Sequence, residues 1–474
     1  MPEYDLLNQL WFWNVFLCAY VLRPVGPGQV LTFPAWIELT HYPRHRKVAL
    51  GEIEQKRLAV GEPEEKTLAD NKGASGFVKD EAYEEWKIPR GIHPEPEVVK
   101  CIMGRVFKSI ELIVYALWYF VKHVPVLERP DYIMKWLRVD GHQYLQTDFK
   151  SFEAGFPPAM LHRVEFHMYR YMLRNNPREL AIMNVYEEVR TGWALIKYKD
   201  VQCRVKGRRL SGQMCTSLGN TWTNFVLLTF MLARAGVRFD DMRLIVEGDD
   251  GLISVSAPVA HAVKRSRIAE RCGMKMELAV SRELSEASFC GINFDEHDRV
   301  NITDPWRKVA DFGWVSGPHV TCSKQKLLLL GRAKAMSLAY QYHRCPILHA
   351  LARYGLRVTR SVESRLKEFV AENAHYNEYE RSLYTQAADY YDTGKLDMCA
   401  SIPDRTRFLM ERTYGVSVQQ QRDIEIYLDG LTGLDVLRID VPVVCWKSCW
   451  HMYVRSFDPG TSWFSVTHAR PYLI

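Results

Sequence analysis

Leu244-Ile245-Val246-Glu247-Gly248-Asp249-Asp250-Gly251-Leu252-Ile253-Ser254-Val255 places two adjacent carboxylates between two short apolar runs. The runs have the length of short buried strands. Asp250-Gly251 is a natural tight-turn pair, so the segment reads as strand, turn, strand. Paired aspartates at such a tip repel one another, and each needs water or a cation. Their oxygens suit a hard cation such as Mg²⁺. Alone, an Asp-Asp pair is most simply a solvated turn. Its company in the chain changes that reading.

About a hundred residues upstream, Tyr144-Leu145-Gln146-Thr147-Asp148-Phe149 reads as a short strand carrying another acid, and Glu153 follows five residues after Asp148. Two strands from separate parts of a chain, each ending in Asp, can lie side by side and hold two metal ions, as phosphoryl transfer requires. Between the acids lies Ser211-Gly212-Gln213-Met214-Cys215-Thr216-Ser217-Leu218-Gly219-Asn220, which opens an apolar helix expected over roughly 217–234 and stopped by Gly236. Glycine in such a loop permits close approach of a nucleic-acid backbone. Thr216 and Asn220 are four apart, so both are expected on one side of the helix start. Singly, each feature has an ordinary reading: an acid at a strand end, a cap of small residues.

Acid-x4-acid, Ser-Gly-x3-Thr-x3-Asn and Gly-Asp-Asp, in that order, resemble motifs A, B and C of RNA-dependent RNA polymerases of positive-strand RNA viruses. The flanks resemble the tombusvirus-like group. Arg209-Leu210-Ser211-Gly212 with Thr216-Ser217-Leu218-Gly219-Asn220 is similar to that group's motif B, and Phe77-Val78-Lys79-Asp80-Glu81 with Lys87 and Pro89-Arg90 resembles motif F. Cys272-Gly273-Met274-Lys275 resembles motif D, and Phe289-Cys290-Gly291 motif E. The segment 326–352, including Cys345-Pro346-Ile347-Leu348, is similar to the first thumb helices, so the resemblance spans roughly residues 40–355. One departure stands out: the second acid of motif A is usually Asp in this group and is Glu153 here.

The resemblance implies an α+β right-hand polymerase built round one continuous core. The N-terminal segment and fingers would occupy 1–139, the palm 140–300 with a fingers insertion at about 160–205, and a helical thumb 301–474. It implies RNA-directed synthesis of a viral RNA genome by two-metal nucleotidyl transfer from ribonucleoside triphosphates. Asp148, Asp249 and Asp250 would be the catalytic metal ligands, for two Mg²⁺ ions with Mn²⁺ able to substitute, and Lys275 would donate a proton to the leaving pyrophosphate. Lys79, Arg90, Glu153, Ser211, Thr216 and Asn220 would bind the nucleotide, with Asn220 the natural partner of Glu153 at the ribose. Arg204, Lys206, Arg208, Arg209 and Gly212 would touch RNA, the arginine-rich run leading straight into the Ser-Gly loop. Implied partners are template and nascent RNA, nucleotides and other viral replication proteins. Host membranes would be reached through a partner, in replication complexes of the host cytoplasm. Two other classes are weighed against this. A catalytically inactive RNA-binding scaffold would have no reason to keep both carboxylate sites and the loop together. A reverse transcriptase would show an aromatic-x-Asp-Asp turn where Gly248 stands.

Composition is compatible. A chain of 474 residues, 47% hydrophobic, can bury a large core. The net charge is only +6, so basic residues act in clusters (204–209, and Lys264, Arg265, Arg267 and Arg271) rather than as a general coat. Eleven scattered cysteines without a Cys-x2-Cys pair point to free thiols in a reducing compartment, and Cys445, Cys449 and His451 lack a fourth zinc partner. Trp11–Leu22 and Leu112–Val121 fall short of the ~20 residues a membrane span needs, so both are expected as core helices. The segment 51–72 alternates charges and is expected as a solvated helix or loop. With about forty residues before the first motif, no helicase or methyltransferase is expected within the chain.

Overall fold

The computed structural model describes residues 3–79, 88–315, 319, 321–433, 437, 439 and 470–471, so Lys87 and the Cys445, Cys449 and His451 group lie outside the described residues. The fold is α+β. Its centre is a four-stranded antiparallel sheet of β1 (His142–Phe149), β2 (Arg243–Glu247), β3 (Asp250–Ser256) and β4 (Met276–Ser281), in the order β2-β3-β1-β4.

Side chains alternate across a strand, and here each face meets a different core. Leu244, Val246, Ile253 and Leu145 join one buried cluster with the helix Thr216–Arg234. Ile245, Leu252 and Tyr144 join another with Ile133, Leu137, Leu284, Phe289 and Phe294. Because both faces are covered, β2 and β3 read as continuous apolar runs rather than alternating ones. The helix Thr216–Arg234 is buried on all sides from Leu218 to Leu232, which suits its nearly uninterrupted apolar sequence.

The first apolar run forms the helix Tyr4–Val21, packed against that central helix. Asn14 does not break it, because its buried amide donates to the carbonyls of Arg163 and Val164 and its oxygen accepts from Trp222 Nε1 at 2.9 Å. The second run behaves differently from the expected single helix. The helix Glu97–Val114 stops at Val114, and Phe120 then pairs alongside Val246. The amide of Val246 donates to the Tyr119 carbonyl at 2.8 Å. An otherwise open edge of β2 needs backbone partners, and this segment supplies them.

The charged segment 51–72 is mainly helical and exposed over about half its length, as expected, but not throughout. It forms the end of the helix Arg44–Val60 and the helix Glu64–Asp70, in which Glu54 and Glu64 are buried. Glu54 pairs with Arg57 at 2.7 Å, and Glu64 accepts from Arg105 at 3.3 Å and Arg178 at 3.0 Å. Arg57, three residues on, neutralises Glu54, and arginines distant in sequence neutralise Glu64, both acids that the local pattern suggests are solvated.

From Lys324 on, the described residues are mainly helical, with Lys324–Gln341, Leu348–Val358, Glu378–Asp392, Asp404–Tyr414 and Val418–Gly430 surrounding their own apolar cluster of residues such as Met336, Leu338, Leu351, Tyr354 and Met410. A single continuous core is therefore not what the chain builds: these helices bury their faces chiefly against one another. Among the described residues no helix is long and apolar enough to cross a membrane, and the nine described cysteines are all free.

Candidate active site

The turn joining β2 to β3 falls two residues earlier than the sequence suggested. Glu247 pairs with Asp250, leaving Gly248 and Asp249 as the two turn residues, and Gly248 takes φ +61°, which glycine adopts without strain. Gly251 has a different task. A Cβ there would lie 2.6 Å from Leu228 Cδ1 and 2.7 Å from Thr147 Oγ1, so only glycine lets β3 sit so close to the helix and to β1.

Two buried polar residues of the helix Thr216–Arg234 hold this turn. Thr221 Oγ1 accepts from the Gly248 amide at 2.9 Å, and Asn224 Nδ2 donates to the carbonyls of Gly248 and Asp250 at 3.2 and 3.0 Å. The pairing of Thr147 with Gly251 carries Asp148 to the level of Asp250, while on its other side Asp148 pairs with Glu277 of β4. Asp148 on β1, Asp250 on β3 and Asp249 on the turn between β2 and β3 thus lie at the same end of the sheet.

Their electrostatics reflect the crowding. Asp250 is pushed up to about 6, first by burial and then by the charge of Asp249, with Glu247 and Asp148 adding repulsion. Asp249 lies at the exposed turn, yet surrounding protein still shields its carboxyl from bulk water and raises it. Glu153 and Asp148 repel it further, while Arg90 opposes the rise. Beneath the turn, Glu247 is neutralised by Arg129 at 2.7 Å and accepts from the Cys290 thiol at 3.6 Å.

Glu153 reaches the same place by a tight loop after β1, in which Ser151 adopts φ +54°. Asn220 Nδ2 donates to Glu153 Oε1 at 3.1 Å, and the buried Asn220 Oδ1 has no hydrogen-bond partner. The Ser-Gly loop is clamped from several sides. Gly212, at φ +98°, sits against Ile92 and His93, and the His93 amide donates to the Ser211 carbonyl at 2.7 Å. Thr216 Oγ1 donates to the Leu210 carbonyl at 3.1 Å, so its hydroxyl closes the loop. Glu95 accepts from the Met214 amide at 3.0 Å while paired with Arg190 at 2.9 Å.

The donor set suits a hard divalent cation: carboxylate oxygens only, mutually repelling and partly withdrawn from water. Among the described residues no three of these side chains converge into a closed ligand set.

Residues 125–353 match the family model described as viral RNA-dependent RNA polymerase. The chain is an RNA-directed RNA polymerase, a nucleotidyltransferase. No curated protein shows significant similarity to it. Viral RNA-dependent RNA polymerases use divalent metal ions, RNA templates and nucleotides.

The polymerase distributes the basic residues singled out from its sequence among different tasks. Arg204 and Lys206 are exposed on a ribbon formed by Trp193–Lys197 and Gln202–Lys206. Arg208 donates to the carbonyls of Ala154 and Phe156, both at 3.2 Å, tying the ribbon's exit to the loop that carries Glu153. Arg209 is not an RNA-facing residue: only 4% exposed, it forms a buried ion pair with Glu165 and stacks over the Phe156 ring. Gly219 makes room for that pair, since a Cβ there would lie 2.4 Å from Glu165 Oε1 and 2.6 Å from Arg209 Nη2.

Lys79 and Arg90 stand at one end of a strand pair, the Lys79 amide donating to the Arg90 carbonyl at 2.8 Å. Exposed Lys275 immediately precedes β4, and its carbonyl accepts from the Lys150 amide at 2.9 Å, near the strand end that carries Asp148. Thr221 and Asn224 escaped the sequence reading. Their signal was available: polar residues within a helix that the sequence shows to be mainly apolar, soon after Asn220.

Proposed function

We propose that this polymerase replicates a viral RNA genome, joining ribonucleotides at the end of the sheet where β1 and β3 meet. The reading rests on one observation above all: the register that levels Asp148 with Asp250 beside the Gly248-Asp249 turn. Asp148, Asp249 and Asp250 would hold two Mg²⁺ ions, with Mn²⁺ as a substitute. Bound there, the ions supply positive charge for an attacking hydroxyl and a leaving pyrophosphate. Residues 140–300 form the palm in this reading, with the fingers before it and in the 160–205 insertion, and the C-terminal helices as thumb. Primer extension on a short RNA in Mg²⁺ tests the activity. No incorporation, with RNA binding retained, would favour an inactive scaffold.

Lys79 and Arg90 bring positive charge to the triphosphate, and Arg90 already acts on Asp249. Exposed Lys275 is placed to protonate the pyrophosphate as it departs. Lys275→Leu is expected to slow single-turnover incorporation several-fold with little change in nucleotide affinity; an unchanged rate would leave Lys275 a surface residue.

Glu153 and Asn220 form the ribose reader. The 2′-hydroxyl both donates and accepts, and a carboxylate beside an amide with a spare oxygen offers matching groups. Glutamate's extra methylene lets the loop after β1 stand back while the contact with Asn220 is kept. Glu153→Ala and Asn220→Ala should each narrow the preference for ribo- over deoxyribonucleotides, by about 1–3 kcal/mol at most. Because the two residues act through one hydrogen bond, the double variant should lose less than the sum. Matched ribo- and deoxynucleotide incorporation efficiencies measure it, and unchanged discrimination in Glu153→Ala would remove this acid from the sugar pocket.

A further inference from the structure

Among the described residues, no other element covers one face of the ribbon Trp193–Lys197/Gln202–Lys206. Ala194 and Ile196 are buried, and Ile196 packs with Ala74 and Leu210. By alternation Trp193, Leu195 and Lys197 point outward, and the antiparallel register sets Lys206, Arg204 and Gln202 directly opposite them. Trp193 remains 50% exposed and Leu195 39% exposed. The Arg204 guanidinium lies 4.6 Å from the Trp193 ring centroid, and the Lys206 ammonium 5.9 Å. One acid, Asp200, interrupts the basic run at the ribbon's tip.

A large apolar ring left half in solvent gains nothing for folding from that position. Flat rings beside a guanidinium and an ammonium are the combination on which unstacked bases settle while their phosphates are neutralised. The ribbon is also joined to the active site. Trp193 stands at its base, next to Gly192, whose carbonyl accepts from the Gly207 amide at 3.0 Å. Arg208 follows immediately and grips the Glu153 loop.

The geometry points to the outer face of this ribbon as a docking surface for single-stranded RNA, with Trp193 and the Arg204 guanidinium as a composite stacking platform and Lys206 on the phosphates. The inference rests on RNA being this enzyme's substrate and is independent of how the carboxylates hold metal. Charge complementarity selects the occupant, since Lys197, Arg204 and Lys206 share the face with the ring.

The test is equilibrium binding of the full chain to a short labelled single-stranded RNA, without nucleotides or divalent ions. Failure there therefore leaves the carboxylate assignment standing. Trp193→Ala should weaken binding by about 5- to 50-fold, the loss of one base–ring stack. Trp193→Phe, which keeps a ring, should recover most of it. Lys206→Ala should reduce the slope of log affinity against log salt by about 0.7, one phosphate contact on a single strand, whereas Arg204→Ala should weaken binding several-fold by removing part of the platform. Blunt duplex RNA, whose bases are already stacked, should be affected less than about twofold by Trp193→Ala. Circular dichroism establishes that each variant is folded, and Trp193→Phe with Arg204→Ala keeps the test decisive if Trp193→Ala does not fold. Wild-type affinity in folded Trp193→Ala, or in folded Arg204→Ala where Trp193→Ala does not fold, overturns the proposal. A change in sedimentation with RNA affinity intact also overturns it, by assigning the face to protein contact.

Discussion

Asp249→Asn should abolish nucleotide incorporation while leaving RNA binding nearly intact. The substitution keeps the shape of the side chain and removes one charge from a cluster in which Asp148, Glu153 and Asp250 also press on the same space. If that cluster exists to hold divalent ions, losing a charge weakens their hold at the moment negative charge builds on the transferring phosphoryl group. Stabilisation of that kind amounts to several kcal/mol, and about 4 kcal/mol is a factor of ~10³ in rate. RNA binding depends on basic residues elsewhere and should change little. Single-turnover extension in Mg²⁺, beside a binding isotherm, gives both numbers. Incorporation within about tenfold of wild type would sink the metal assignment.

The second large effect concerns stability. The sequence placed Arg209 among the RNA-contacting residues, whereas it is buried against Glu165. Arg209→Met leaves the Glu165 carboxylate without its counter-charge in a pocket that water barely reaches, retaining only the 2.7 Å bond from Tyr169 on its Oε1. Breaking such a pair costs about 3–5 kcal/mol, whereas replacing both members by apolar residues of similar volume is often close to neutral. Urea unfolding should therefore show a large fall in midpoint for Arg209→Met and substantial recovery for Arg209→Met with Glu165→Leu. The alternative makes the opposite prediction. A phosphate-contacting Arg209 would lose RNA affinity with stability unchanged, and the double variant would not recover it.

That error shows where the sequence was legible. The apolar runs around Gly248-Asp249-Asp250 and the helix beginning at Thr216 could be read because each depends on local spacing, and the Glu153–Asn220 pairing, sixty-seven residues apart, because the resemblance to polymerase motifs implied it. What could not be read depends on partners far along the chain. Arg209 resembles its exposed neighbours Arg204, Lys206 and Arg208, and Glu165, forty-four residues earlier, announces nothing. Glu64 looks solvated until Arg105 and Arg178 are seen around it. The turn was displaced because Asp-Gly is a good turn pair in isolation, while Gly251 is needed for packing against Leu228 and Thr147. The run Leu112–Val121 contains a helix end because the exposed edge of β2 competes for its backbone.

One rod serves two purposes at this site. Asn220, Thr221 and Asn224 lie within five residues of the same helix, the first bonded to Glu153 and the other two to the Gly248-Asp249 turn. A helix advances ~1.5 Å per residue and turns as a unit, so a small slide or rotation moves all three together. If Glu153 and Asn220 read the ribose as proposed, the choice of sugar and the alignment of the carboxylates are mechanically yoked. Lineages that select for altered nucleotide choice through this helix should find that copying speed drifts with it, and compensating changes should gather on the surfaces that seat the rod, beginning with Trp13 on Thr229 and Asn14 on Trp222.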